Sequence, residues 1–330
     1  MTTANANWSE LVTSTYALRR KKVTSNVLNA NVLTSYLGQR GNIVEEADGG
    51  RTLVEELSFA ANSTVKWYSG YEVLDITPQT VLSAAEYPYK QMAGAITIDG
   101  LTMLQNAGKS KAISLVNSRI DNLEESMQNT LGSGVYSNGT GDGGKQIDGL
   151  ALLVADAPGT GTVGGIVRDN FTFWRNQFKD ANTVFSSLTA ASVQALMQEV
   201  WVEIVSAPGQ QAGNTGPDLI VAGQNAFTTY WNSLLEIQRI TDARKGTSGY
   251  KSMTFMGPSG EAPIFLDPQC GTNKMYFLST KYIKLRPHSQ RNFDLDDERR
   301  SLNQDAVVRH MFWAGNMAMS NAGRQGVIFD

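Results

Sequence analysis

Apolar and polar positions alternate differently in successive parts of the chain. Residues 1–50 are polar and rich in Asn, Ser and Thr, with sparse apolar positions and a basic run at 19–22. From Arg51 to Phe59 and from Thr80 to Ile98, β-branched and aromatic residues are frequent, which predicts strands. The basic run could contact DNA or an acidic scaffolding protein, although a solvated helix face is the simpler interpretation.

A hairpin is expected between those two strand-like stretches. The segments Thr64 to Tyr68 and Tyr71 to Ile76 flank a Ser-Gly pair, the composition of a tight turn. A two-stranded ribbon is only marginally stable in water because no second layer covers it. Its apolar side chains must therefore lie on their own domain or on a neighbouring subunit. These candidate contact residues are Trp67, Tyr68, Tyr71, Val73, Leu74 and Ile76.

The next zone has helical periodicity. Between residues 99 and 132, apolar residues recur every three or four positions, which predicts one long amphipathic helix of roughly 50 Å. Asp99 or Thr97 is a candidate N-cap, and Gly132 and Gly134 are candidate stop signals. A long helix directly after a β ribbon is an unusual order of elements.

The remaining two zones differ in pattern. Residues 147–272 alternate between helix and strand signals, with helices expected at 192–205 and 225–240 and a buried strand at 217–223. This pattern indicates an α/β layer. Residues 273–330 are strand-rich, with strands expected at 275–278, 282–285, 307–320 and 326–329. The whole chain therefore belongs to the α+β class.

Composition narrows the possible functions. The chain has 28 Lys and Arg against 31 Asp and Glu, so the basic excess of a dedicated DNA-binding domain is missing. One cysteine and two histidines rule out an internal disulfide and are too few for a Cys/His zinc site. The longest apolar run is far below the ~20 residues of a membrane span, and the first ten residues lack a secretory signal pattern. A protein made in a reducing cytoplasm is expected.

Several motifs resemble ligand-binding or catalytic motifs but lack the structural context that such sites need. Gly139, Gly144 and Lys145 match a phosphate-binding pattern, yet a long helix precedes them where a buried strand is needed. A connector after a helix is the alternative interpretation of residues 139–145. Adjacent carboxylates such as Glu55-Glu56 are expected on solvated faces. His310 is expected to lie in a core or in an interface. No catalytic, cofactor-binding or metal-binding residue is predicted.

The order of parts resembles the major capsid proteins of tailed bacteriophages, which share the HK-ninety-seven-like fold with encapsulin shells. Arm, β ribbon, long helix, glycine loop, α/β unit and returning strands follow one another as in that family. Short phrases are similar to one subgroup of phage coat proteins: 53–57, 68–72, 84–87, 161–166 and 173–176. The resemblance spans nearly the whole chain.

That resemblance implies a division into an N-terminal arm, an extended β-hairpin loop, a peripheral domain with the long helix as its spine, and an axial domain. The bounds would be 1–50, 51–97, 98–146 with 273–330, and 147–272, respectively. The implied function is a structural major capsid protein that forms hexamers and pentamers of an icosahedral head around double-stranded DNA, without cofactors and without enzymatic activity.

The implied partners are further copies of the chain, a separate scaffolding protein, a portal and optional cement proteins. DNA would be enclosed without sequence specificity, and no membrane is implied. The implied location is the virion, after assembly in the host cytoplasm. An encapsulin-like compartment shell is the alternative, and a nucleotide-binding enzyme that uses the loop at 139–145 is a more distant one.

Overall fold

Two β-sheets form the framework of the chain, and helices pack against both. The computed structural model describes residues 31–46, 50–105, 109–185, 187–208, 216–234, 253–300 and 305–330. The expectations for residues 1–30, including the basic run at 19–22, lie outside the described residues. The mixture of helix and sheet agrees with the α+β class predicted from the sequence.

The elements have the following bounds. The strands are β1 (Thr52–Ser58), β2 (Leu82–Pro88), β3 (Lys90–Asp99), β4 (Thr162–Val163), β5 (Ile166–Val167), β6 (Gln177–Asp180), β7 (Leu219–Ala222), β8 (Met253–Gly257), β9 (Gly260–Leu266), β10 (Met275–Leu278), β11 (Ile283–Leu295), β12 (Arg299–Arg300), β13 (Ala306–Met319) and β14 (Gly326–Phe329). The helices are α1 (Val32–Gln39), α2 (Lys109–Val135), α3 (Val193–Ser206) and α4 (Gln224–Ser233). Single helical turns span Gly100–Gln105, Gly141–Gly144, Leu150–Leu153, Ala181–Phe185, Thr172–Trp174 and Thr280–Tyr282.

The larger sheet has its described strands in the order β6-β14-β10-β7-β9-β8. All residues of β7 and β10 are buried, as expected for central strands that are covered on both faces. Helix α3 packs on one face through apolar residues at helical spacing, including Leu196, Val200 and Trp201. The helix and strand expected at 192–205 and 217–223 are thus confirmed within one or two residues. The helix expected at 225–240 begins at Gln224, and its positions from 235 on lie outside the described residues.

The smaller sheet is built around β13. Strand β3 pairs with one edge of β13 over ten residues, while β11 and β12 pair with it on the other side. A bulge in β11 shifts the register between Pro287 and Asn292, and Phe293 adopts a left-handed backbone with φ of 56°. Together with β10 and β14, these elements account for the strands expected in the C-terminal zone.

The long helix forms, but it ends later than expected. A short turn at Gly100–Gln105 is capped by Asp99, whose Oδ2 accepts a hydrogen bond from the Thr102 N–H at 2.9 Å. Helix α2 follows with 27 residues, or roughly 40 Å. It continues through Gly132 and Gly134, which the sequence suggested as stops. Gly132 has a packing role instead, because a Cβ there would come within 2.6 Å of the Gln269 Oε1.

The prediction of a hairpin at residues 64–76 was wrong. The antiparallel pair consists of β1 and β2, and the 22 residues 60–81 between Phe59 and β2 form a loop without ladder pairing. Two local side-chain turns occupy its backbone: Asn62 accepts from the Thr64 N–H, and Asp75 accepts from the Thr77 N–H. Such turns compete with strand pairing. A turn does form at Ser69, whose carbonyl accepts from the Glu72 N–H at 3.3 Å.

The stretch from Thr80 to Ile98 is two strands rather than one. The chain leaves the β1–β2 pair at Pro88 and enters the smaller sheet as β3 at Lys90. Pro88 has no N–H to donate, so it suits the end of a strand. Its carbonyl accepts instead from the Asn316 Nδ2 at 2.9 Å. A single strand-like pattern therefore belongs to two different sheets.

A buried carboxylate joins three separate parts of the chain. Asp267 is fully buried, and its Oδ2 accepts from the Val32 N–H at the start of α1 and from the Tyr136 hydroxyl just beyond α2. Its Oδ1 accepts from the Gln269 N–H at 3.0 Å. Asn31 caps α1 and donates to the Gly132 carbonyl and to Gln269. Residues 31–46 are thus attached to the body of their own chain.

The buried tyrosines predict a loss of stability in alkali. Burial raises the pKa of Tyr87, Tyr136 and Tyr276 above the ordinary value of about 10, and that of Tyr230 to about 12. Above pH 10 the unfolded chain loses these protons while the folded chain retains them. The free energy of unfolding should therefore fall by about 1.4 kcal/mol per pH unit for each tyrosine.

Urea unfolding of dissociated subunits between pH 7 and pH 11 measures this slope. Tyr276→Phe keeps the ring and should reduce the slope by one tyrosine's share. A free energy of unfolding that stays flat up to pH 11 would contradict the prediction.

Candidate functional site

The loop between β1 and β2 carries the six residues predicted to contact another subunit. Trp67 and Tyr71, on either side of the turn at Ser69, expose 101% and 107% of their surface. Val73 and Ile76 are also almost fully exposed, and Tyr68 and Leu74 are more than half exposed. The structure brings these side chains into one loop, and the part of the chain that it describes leaves them exposed. Below, residues 60–81 are called the loop tip.

The base of the loop is held firmly, in contrast to its tip. Along β1 and β2, Leu53, Leu57, Ala85 and Tyr87 face the core, and the Tyr87 hydroxyl donates to the Met319 carbonyl at 2.9 Å. Gly164 (φ 57°) crosses above them and accepts from the Glu86 N–H at 3.0 Å. A Cβ on Gly164 would lie 2.9 Å from the Ala85 side chain, so only glycine permits this approach. The base thus positions the tip away from the body.

Charged groups add to this anchor. Glu55 is 8% exposed, and its carboxylate contacts Lys284 at 3.0 Å and Arg286 at 2.9 Å. Arg286 also pairs with Glu46 and donates to the Val54 carbonyl. The sequence placed Glu55 on a solvated face, and this was wrong. The alternation of Leu53, Glu55 and Leu57 on one face of a strand is the signal that could have revealed its burial.

We expect Glu55→Gln to weaken the attachment of the loop base moderately. The amide keeps the shape and one acceptor oxygen, but it replaces the other oxygen by a donor and loses the charge that faces Lys284 and Arg286. The expected decrease in the free energy of unfolding is about 1–2 kcal/mol, from urea titration of dissociated subunits. Glu86→Gln, on the exposed face of β2, is the matched control and should change stability by less than about 0.5 kcal/mol. Equal effects of the two variants would contradict the prediction that Glu55 holds the loop base through Lys284 and Arg286.

An aromatic cluster beside the loop base was not predicted from the sequence. The Phe173 ring lies 5.7 Å from Phe59, 5.8 Å from Phe171 and 6.0 Å from Trp174, measured between ring centroids. Trp174 is buried, whereas Phe171 is 43% exposed. A cavity of about 250 Å³ opens next to this cluster. The signal in the sequence was three aromatic residues among the four at 171–174.

The structure places the sequence motifs that suggested chemistry in separate parts of the chain. The glycine loop follows α2 directly, without the preceding strand of a phosphate-binding loop, and Lys145 is exposed. His310 stacks on Phe312 with ring centroids 5.9 Å apart, and His288 lies 6.0 Å from Tyr89. Within the described ranges, no group of three or more His, Cys, Asp or Glu could hold a metal ion. None of the described helices is long and apolar enough to cross a membrane.

Comparison with known proteins decides the family. The family model described as SU10 major capsid protein matches residues 84–328. This match covers well over half of the chain. The chain belongs to the SU10 major capsid protein family. The resemblance to phage major capsid proteins that the sequence indicated is thereby confirmed.

Solved structures show the same fold at low sequence identity. The capsid asymmetric unit of cyanophage A-1(L) matches with a TM-score of 0.67 and 16% identity, covering 94% of this chain and 95% of that one. The capsid of the Myoviridae phage XM1 matches with a TM-score of 0.55 and 10% identity, covering 94% of this chain and 97% of that one. The SrpI encapsulin of Synechococcus elongatus PCC 7942 matches with a TM-score of 0.50 and 9% identity, covering 96% of this chain and 94% of that one. No curated protein sequence matches the chain.

The expected HK-ninety-seven-like fold is confirmed by these capsid neighbours. This coat protein is a structural component of a phage virion and acts in oligomeric capsomers. Its family implies a structural role, which agrees with the exposed loop tip. The encapsulin similarity concerns the fold alone.

Proposed function

We propose that this coat protein closes an icosahedral head from hexamers and pentamers by laying its loop tip on the adjacent subunit. The observation that supports this most directly is the exposure of Trp67 and Tyr71, which no described residue covers. A monomer that exposed so much aromatic surface would be a poor soluble protein, whereas a subunit that buries it on a neighbour gains stability. The candidate contact residues remain Trp67, Tyr68, Tyr71, Val73, Leu74 and Ile76.

The geometry favours a head-to-tail contact. The tip projects from one end of β1 and β2, so it meets a different surface on the partner, and the same step repeats from copy to copy. Heterologous contacts of this kind close into rings when the rotation fits. Tyrosine and tryptophan are well suited to such contacts because they bury a large area at a small cost in conformational entropy.

The domain division stays a proposal with one qualification. The arm would be 1–50, the extended loop 51–97, the peripheral domain 98–146 with 273–330, and the axial domain 147–272. Strands β10 and β14 lie within 273–330 but pair with β7 and β6 in the larger sheet. The peripheral and axial parts of the proposed division therefore share one sheet.

The proposed partners follow from the balance of charge and the family. A near-neutral chain with a net charge of -3 suits a wall that encloses DNA without reading its sequence. A separate scaffolding protein, a portal and optional cement proteins would complete the head in the host cytoplasm. No cofactor, membrane or catalytic activity is proposed.

Microscopy of the expressed protein tests the proposal. The chain is expressed with the neighbouring genes of its virus, and the particles are imaged in negative stain and treated with nuclease. Icosahedral shells that protect double-stranded DNA are the expected result. Shells that contain a protein cargo would favour the encapsulin-like alternative, and soluble monomers at high concentration would contradict the proposal. Nucleotide binding that Lys145→Ala abolishes would support the enzyme alternative.

A further inference from the structure

The cavity beside the loop base is the strongest unexplained feature of the described surface. It measures about 250 Å³ and lies between the aromatic cluster and the segment that follows β13. Leu57, Phe59 and Phe173 form its apolar side, and Ser320 and Asn321 form a polar side. A cavity of about 150 Å³ is enough for a benzene ring, so this one has room for an indole or a phenol. Its mixed lining suits a ring with an apolar body and one polar atom.

The charges beside the cavity and in the loop tip indicate which part of the chain would fit into the cavity. Glu56 lies on the wall of this cavity, is exposed, and forms no ion pair with any described residue. The loop tip carries a single cation, Lys66, immediately before Trp67. The Lys66 Nζ donates only to the Val73 carbonyl among described residues, at 3.2 Å. An aromatic ring next to a cation is thus complementary to an aromatic cavity next to an anion.

The two surfaces do not meet within one copy. Trp67 is 101% exposed, so its ring does not enter the cavity of its own chain. The cavity lies at the base of the loop, and Trp67 lies at its tip. A second copy can bring the tip of one loop to the base of the next, and the step can then be repeated.

We infer that the cavity lined by Glu56, Phe59 and Phe173 receives Trp67 of a second copy of this chain, with Lys66 of that copy beside Glu56. The inference rests on the proposed function and names the surface on which the loop tip lies. In each subunit, the cavity at the base of the loop would hold the loop tip of one neighbour. The loop tip of the same subunit would extend to the cavity of the other neighbour. The contact is heterologous, as a ring requires.

Charge reversal tests the pairing. Glu56→Lys and Lys66→Glu should each lower the yield of shells at least about tenfold, because each places like charges in contact. The double variant should return to within about twofold of the parent, because the pair is restored in the opposite sense. All variants are expressed with the neighbouring viral genes, and shells are counted after sedimentation. The substituted side chains are exposed, and circular dichroism of the subunits checks that they fold.

Matched controls separate this pairing from net charge. Glu86→Lys changes an exposed carboxylate on β2 that does not line the cavity, and Lys145→Glu reverses an exposed cation in the glycine loop. Both should assemble like the parent. If Glu56→Lys assembles as well as Glu86→Lys, or if the double variant stays as defective as the single ones, the inference is overturned. Should Trp67→Ala still block assembly in that case, the tip docks elsewhere and the proposed function stands.

Discussion

Trp67→Ala should reduce the yield of closed shells by at least about a hundredfold while leaving the subunit folded. The indole makes no contribution to the core of its own chain, since its surface is fully exposed. Its whole effect is therefore expected at the contact with a neighbour. Buried tryptophans at interface centres contribute about 2–4 kcal/mol on truncation, or a factor of about 30 to 1,000 in one contact.

The effect on assembly is large because every subunit in a shell makes the same contact. Shell yield is measured by sedimentation and negative-stain microscopy, and folding by circular dichroism of the unassembled chain. Met256→Ala is the matched control, since Met256 on β8 is also apolar and 79% exposed but lies outside the loop tip. Similar losses in both variants would indicate general loss of surface hydrophobicity rather than a specific contact. Parental yields with Trp67→Ala would contradict the proposed contact.

Asp267→Ala should lower the free energy of unfolding by about 3–5 kcal/mol. The alanine leaves the Val32 N–H and the Tyr136 hydroxyl buried without their acceptor, and each such loss costs about 1–3 kcal/mol. It also detaches the start of α1 from the segment after α2. Urea unfolding of dissociated subunits measures the change.

Two further variants make the result interpretable. Asp267→Asn keeps an acceptor and the side-chain volume, so about half of the loss is expected. Asp297→Ala removes an exposed carboxylate near β12 and should change stability by less than about 0.5 kcal/mol. If Asp267→Ala behaved like Asp297→Ala, the carboxylate would not be the link between these parts of the chain.

The local patterns were sufficient for most elements. Periodicity predicted α3, β7, β10 and β14 within two residues, because each of these elements buries apolar side chains at a regular spacing. It also predicted the existence of the long helix and of β11, but α2 begins about ten residues later than expected and β11 ends about ten residues later. The order of elements was specific enough to indicate the family. The candidate contact residues were proposed because the predicted hairpin was rich in aromatic residues and had no second layer to cover it.

Other features depended on distant partners. Glu55 was assigned to a solvated face because its acidic neighbour suggested one, whereas Lys284 and Arg286, more than 200 positions away, bury and neutralise it. The stop at Gly132 failed because the glycine accommodates Gln269 and Asn31 rather than ending the helix. Neither contact has a signal within the surrounding sequence.

By itself, the sequence determined the α+β class and the position of most helices and strands, because these depend on composition and on short-range periodicity. The resemblance of its element order and short phrases indicated the family. Only the tertiary structure decided that β1 and β2 pair while the loop tip does not, and that Phe59 and Phe173 meet beside Glu56. Strand pairing and cavities arise from residues far apart in the chain. Their free energy depends on what lies opposite, which no local pattern records.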